Sequence, residues 1–275
     1  MRYEVLGPLR FVTEAGAFSV GARKSEMVLA TLLARFGQVV SVGQLVDEIW
    51  GESAPRRAAA ALHVHVSQLR KLLKRDDNSH SPIVTRSPGY LLGLGSDELD
   101  LLDFQRLVRA GKAHQRSGDH QQAADSLRAA LDLWRGPALD VAPTGPIISG
   151  FLAWLAENRL ECIDALVEST LVLGAYSEVI GFLYAMIAEQ PLHEMFYQQL
   201  MVALYRSGRR ADALVVYQNA RQVLRVELGL EPCLPLRDLQ AAILAESAAE
   251  AFVPASRAPG STVGLALGPS ETRGR

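Results

Sequence analysis

From Tyr3 to Val20 the apolar residues come in short groups. Tyr3, Val5 and Leu6 precede Gly7-Pro8, Leu9, Phe11 and Val12 follow, and Gly16 turns the chain into Phe18 and Val20. Such groups, separated by turn formers, predict short strands. The spacing then becomes helical. Met27, Leu29, Ala30, Leu32 and Leu33 predict a helix over about residues 24–36, ending near Gly37. Ser41 suits the N-cap of a second helix carrying Leu45, Val46, Ile49 and Trp50, which Gly51 stops. After the short turn Glu52-Ser53-Ala54-Pro55, a third and longer helix is expected over about residues 56–74. Ile83–Arg86 and Tyr90–Leu92 then bracket Ser87-Pro88-Gly89, a hairpin with the turn residues it needs. Strands, three helices and a closing hairpin, in that order, are the parts of a winged helix-turn-helix.

From Leu99 onward the pattern is helical almost throughout, and it repeats. Gly118, Gly174 and Gly208 each end a helical segment, with an Ala or Val four to five residues later opening the next. Gly174 and Gly208 are 34 residues apart, the period of a tetratricopeptide repeat. Gly118 and Gly174 are 56 apart, so an irregular insert is expected, at the Gly- and Pro-rich stretch from Trp134 to Gly150. Helix pairs of this kind stack because one pair alone cannot bury its apolar face. The expected fold is therefore mainly α: a winged helix in residues 1–95, an all-α repeat domain in residues 96–246, and a disordered Pro-, Ser- and Gly-rich tail in residues 247–275.

The third helix carries the chemistry. At about 100° per residue, Leu62, Val66, Leu69 and Leu73 fall on one narrow stripe, the core face. The opposite face gathers Arg57, Ala60, Val64, Ser67, Gln68 and Lys71, with Arg56 and Lys74 beside it and His63 and Arg70 on a flank. Charge sharpens this picture. The chain carries −2 overall, yet residues 1–93 hold twelve Lys or Arg against eight Asp or Glu, leaving +4 there and −6 on the rest. Residues 54–75 contain six basic side chains (Arg56, Arg57, Arg70, Lys71, Lys74, Arg75) and no acid. A basic stripe in an acidic chain is a directed footprint for a polyanion. Ala60 and Val64 are compact enough to let the helix approach base edges, and Val64 suits a thymine methyl. Ser67 and Gln68 offer neutral hydrogen-bonding groups, Gln being a bidentate partner for adenine. Arg57, Arg70 and Lys71 are placed for flanking phosphates, and Arg86, beside the hairpin tip, for a minor groove.

Other chemistries are weaker. His63 and His65, two apart on a helix, point about 200° from one another, which argues against a shared metal. His80, His114, His120 and His193 sit in no nucleophile or acid motif, so no catalytic residue and no cofactor are expected. Two cysteines, Cys162 and Cys233, lie far apart without metal-ligand spacing and suit a reduced cytoplasm. No membrane segment and no GxxxxGK[ST] phosphate loop occurs. A competing reading is a peptide-binding scaffold whose N-terminal domain does not bind DNA specifically. The acid-free third helix and Arg86 count against it.

The segments "VLGPLR", "LVDEIWG", "LHVHVSQLRKLL" and "RSPGYLL" resemble the winged helix of the Streptomyces antibiotic regulatory protein family and, more distantly, OmpR-type effector domains. "LDLLDFQRLV", "AALDLWRGPAL", the long run from Leu192 to Pro232, and "LRDLQAAIL" resemble that family's bacterial transcriptional activation domain. The resemblance covers about residues 1–245. It implies a transcriptional activator of a biosynthetic gene cluster that binds direct repeats side by side and recruits RNA polymerase. It places Val64, Ser67, Gln68, Arg70 and Arg86 at DNA and Trp50 near a phosphate, with Lys24 and His63 completing the candidate set. It also implies that the turn holding Glu52 and Ser53 meets a sigma subunit. Ser67 and Gln68 stand where response-regulator relatives often carry Arg, so base preference does not transfer.

Overall fold

The structure, a computed structural model, describes residues 1–74, 81–140 and 145–245. Arg75, His80 and the expected tail at residues 247–275 lie outside them. The described residues form two compact units. The first takes in residues 1–106 and 130–159, and so contains the whole of the expected 1–95 domain; the second takes in residues 107–129 and 160–245.

In the first unit, β1 (Arg2–Glu4), β2 (Arg10–Thr13) and β3 (Gly16–Phe18) are followed by α1 (Arg23–Ala34), β4 (Val39–Ser41), α2 (Val42–Trp50) and a 3-10 turn (Gly51–Ser53). Next come α3 (Ala58–Leu72), β5 (Ile83–Arg86), β6 (Gly89–Leu92) and β7 (Glu98–Leu99). The three helices begin and end within two residues of their sequence-based bounds. Ser41 caps α2 as expected: its side chain accepts from the Gln44 N–H, and the Gln44 side chain accepts from the Ser41 N–H. Two strands were not expected from the sequence. β4 pairs antiparallel with β6, giving a sheet ordered β4-β6-β5, and β7 pairs parallel with β1, giving β3-β2-β1-β7. Both are two or three residues long, too short for an alternation to show. The close β4–β6 approach requires Gly89, because a β-carbon there would stand 1.9 Å from the Val40 carbonyl oxygen.

Two buried carboxylates lock this unit. Asp100, the first residue of α4 (Asp100–Arg116), accepts from the Val5 and Leu6 N–H groups at 2.9–3.0 Å. Burial raises its pKa, and the two backbone donors oppose that shift. Glu48 on α2 is 0% exposed. Its two oxygens accept from the Ile147 and Ile148 N–H groups in the first turn of α6 (Pro146–Val172), the second bond at 3.2 Å. Pro146 has no N–H, so these are the first two donors that the helix would otherwise leave open. The expected insert is tied down as well. Arg135 N–H and Leu139 N–H donate to the carbonyls of Leu6 and Val5, and the Trp134 ring packs edge-on against Phe104 at 5.5 Å.

The second unit is helical. It holds α5 (His120–Leu131), α7 (Tyr176–Glu189), α8 (Glu194–Arg206), α9 (Arg210–Leu228) and α10 (Leu234–Leu244), with the C-terminal parts of α4 and α6. The repeat glycines share one device. Gly118, Gly174 and Gly208 have φ of 81°, 78° and 76°. In each case the glycine N–H bonds three residues back and the next N–H five residues back, as in Gly208 to Tyr205 and Arg209 to Leu204. This is a Schellman termination, which needs a left-handed residue. The following helices start only two residues after each glycine, at His120, Tyr176 and Arg210, earlier than the expected Ala or Val. The apolar residues that marked the expected start lie inside the first turns, where burial begins.

The Glu48 bond pair generates a stability prediction. Glu48→Ala strands two buried N–H groups and should cost about 2–6 kcal/mol, at roughly 1–3 per orphaned group. Glu48→Gln, which keeps one acceptor, should lose less. Urea melts of the two variants check the order, and equal melts would remove Glu48 from this role.

Candidate nucleic-acid interface

Helix α3 is oriented by its apolar stripe. Leu62, Val66, Leu69 and Leu73 are each no more than 1% exposed. That places the opposite face in solvent: Arg57, Ala60, Val64, Ser67, Gln68 and Lys71 are all exposed, Val64 at 55%. Arg56 and Lys74 are exposed beside them. The result is a convex, acid-free surface with a compact apolar centre and cations at its ends, the shape a groove lined by phosphates accepts.

The two flanks of the helix are committed to neighbours. On one side, Arg70 donates from Nε to the Ile83 carbonyl at 3.0 Å and from a terminal nitrogen to Thr85 Oγ1 at 2.8 Å. Its guanidinium lies 5.7 Å from the centre of the Tyr90 ring. His63 Nδ1 is hydrogen-bonded to the Tyr90 hydroxyl, and the two rings meet edge-on at 6.1 Å. Arg70 and His63 thus join α3 to the hairpin. Sequence reasoning placed Arg70 at a phosphate; the structure spends two of its nitrogens on β5, and the side chain is only half-exposed. Because the hairpin is held in this way, Arg86 at the end of β5 stands exposed beside the tip, in register with Gly89.

On the other side, Ser25 of α1 is buried beneath α3. Its Oγ lies 3.0 Å from His65 Nδ1 and donates to Gln68 Oε1 at 3.3 Å. The His65 ring packs against Trp50 at 6.2 Å, and Lys24 Nζ sits 5.0 Å from the centre of the Trp50 indole. Burial, and secondarily the Lys24 charge, lowers the His65 pKa and so disfavours the charged imidazolium. Lys24 is exposed and Trp50 partly so, both next to the exposed face of α3. His63 and His65 therefore diverge to opposite flanks, as their spacing demands, and among the described residues no group of three His, Cys, Asp or Glu can hold a metal ion. Glu52 and Ser53 form the exposed 3-10 turn between α2 and α3.

Four residues that position this surface carried no such role in the sequence: Ser25, His65, Thr85 and Tyr90. Each acts through a partner 15 or more residues away, so no local pattern marks it. Of the other histidines, His193 Nε2 lies 3.3 Å from Asp164, and neither belongs to this surface. No helix among the described residues is long and apolar enough to cross a membrane.

Comparison with known proteins agrees with both halves of the chain. Residues 21–92 match the family model "Transcriptional regulatory protein, C terminal", and residues 99–244 match "Bacterial transcriptional activator domain". The chain is 38% identical over 266 residues to Regulatory protein AfsR of Streptomyces coelicolor, covering 96% of this chain and 26% of that protein. It is 36% identical over 250 residues to Regulatory protein DnrI of Streptomyces peucetius, covering 89% of this chain and 92% of that protein. The solved structure of Mycobacterium tuberculosis EmbR in complex with a low-affinity phosphopeptide superposes with a TM-score of 0.83 at 33% identity, over 89% of this chain and 65% of that one. The chain spans about a quarter of the length of the AfsR relatives it matches.

The Arg70 joint is testable without DNA. Arg70→Ala removes two hydrogen bonds from a cation and should cost about 1.5–3 kcal/mol locally. Amide hydrogen exchange at Val84, whose pair with Leu91 is a hydrogen-bonded one, should accelerate while the α3 amides stay protected. Unchanged exchange in β5 would show that the guanidinium does not hold the hairpin.

Proposed function

Because this chain belongs to the Streptomyces antibiotic regulatory protein family of transcriptional regulators, we propose that it is a sequence-specific, non-enzymatic DNA-binding activator of a secondary-metabolite gene cluster, acting in the cytoplasm. The observation that carries this reading is the exposed, acid-free face of α3 with Arg86 standing beside it. In this reading α3 lies in a major groove. Val64, Ser67 and Gln68 meet base edges, while Arg57 and Lys71 meet phosphates on either side. Lys24 and the Trp50 N–H approach the backbone from α1 and α2. Arg86 enters the adjoining minor groove, where negative potential is concentrated. Arg70 and His63 act one step back, by fixing the angle between helix and hairpin.

Residues 1–95 supply DNA recognition, and residues 96–246 form the activation domain. By the family resemblance, two copies bind side by side on direct repeats, and no heptad segment in the sequence argues for a two-fold coiled-coil dimer instead. The turn at Glu52 and Ser53 meets RNA polymerase. It is exposed, lies between the positioning and recognition helices, and carries an acid that phosphates would repel. A basic surface on a sigma subunit suits it.

Two variants test the sorting of contacts. Arg86→Ala should weaken binding to promoter duplex by about 1–3 kcal/mol with an unchanged melting temperature. Lys71→Ala should weaken binding about equally on all duplexes and reduce the slope of log affinity against log salt by about one. Titrations of labelled duplex at several salt concentrations read both, and wild-type values for both would remove α3 and the hairpin from the interface. Glu52→Lys addresses the polymerase contact. Transcription in a purified system should fall while DNA affinity is kept or improves. Transcription that stays intact, or falls only in step with DNA binding, would exclude the turn.

A further inference from the structure

The amide of Gln68 does not stand alone on the exposed face of α3. Its Oε1 accepts from the Ser25 hydroxyl, which belongs to a different helix and is only 2% exposed. A hydroxyl carries one proton. If that proton goes to Gln68, the second neighbour of Ser25 Oγ, His65 Nδ1 at 3.0 Å, must donate to the oxygen rather than accept from it. A neutral imidazole has one N–H, and this geometry puts it on Nδ1. The chain is then directional: His65 Nδ1–H donates to Ser25 Oγ, and Ser25 Oγ–H donates to Gln68 Oε1. The Gln68 carbonyl is turned inward, and the amide NH2, with two donors, faces solvent.

We propose that Ser25 is a specificity-determining positioning residue: by holding the Gln68 carbonyl it makes Gln68 read an acceptor-only base edge, guanine N7 and O6, rather than adenine. Adenine recognition by glutamine needs the amide to give one bond and accept another. Here the accepting oxygen is aimed at α1. Guanine presents two acceptors to the major groove and asks for donors alone. Nothing about Ser25 in the sequence marks it for this, since it lies forty-three residues before Gln68 and is buried away from the groove. The inference rests on the reading that α3 enters the major groove.

The test is a duplex-binding series with all four base pairs at each operator position, for the wild-type chain, Gln68→Ala and Ser25→Ala. Gln68→Ala identifies the base pair at which discrimination is lost. At that pair the wild-type chain should prefer guanine over adenine on one strand by roughly tenfold or more. Ser25→Ala should keep the overall affinity within a few-fold and bring the guanine-to-adenine ratio close to one, because the freed amide can turn either way. The wild-type ratio alone needs no variant, so a Ser25→Ala protein that fails to fold does not end the test. Wild-type preference for adenine at that pair overturns the proposal, as does a Ser25→Ala protein that keeps the wild-type ratio. Gln68→Ala that leaves every preference unchanged overturns the proposal while the DNA-binding reading stands. A wild-type chain that binds no duplex overturns both.

Discussion

The burial of four side chains, three on α3 and one at its C-cap, governs the exposed face of that helix. Leu62, Val66, Leu69 and Leu73 occupy a stripe narrow enough that only one rotation of α3 about its axis hides them all. Turning the helix by a single residue would expose a leucine and press a cation or an amide into the core, where an unpaired charge costs several kcal/mol. The face carrying Val64, Ser67, Gln68 and Lys71 is therefore not chosen independently. It is what remains when the stripe is satisfied. Composition then does the rest, because residues 54–74 hold no acid to oppose a polyanion.

A surface so defined still needs its neighbours placed. Arg70 and His63 reach from α3 to β5 and β6, and Ser25 and Trp50 close the other flank. Behind them, Glu48 ties α2 to the start of α6, and Asp100 ties the start of α4 to the first sheet. Both carboxylates accept from backbone N–H groups, so each fixes a direction as well as a distance. The insert between α5 and α6 serves the same end, with Arg135 and Leu139 bonded to the backbone after β1. The cations and amides that face solvent are thus few, and the polar groups behind them are chiefly concerned with aim.

What the sequence made legible follows from the range of the interactions. The helix α3 and its stripe, the Ser41 cap and the Gly-ended repeats depend on residues within about two turns of each other, and all could be read directly. Arg70 could not: a flanking arginine looks the same whether it meets a phosphate or a carbonyl thirteen residues away. Glu48 reads as an ordinary polar residue of an amphipathic helix, and its partners lie about a hundred residues on. β4 and β7 are too short to carry a period, and only their pairing with β6 and β1 makes them strands.

The central claim is that the side chain at position 64 faces base edges in the bound state. A photo-crosslinking residue in place of Val64 tests it, with one in place of the exposed Val215 of α9 as the control. On a specific duplex, position 64 should attach to bases within a single major groove, and position 215 should attach to none. A complex that forms normally yet gives no crosslink from position 64, or gives equal crosslinks from both positions, would contradict the account.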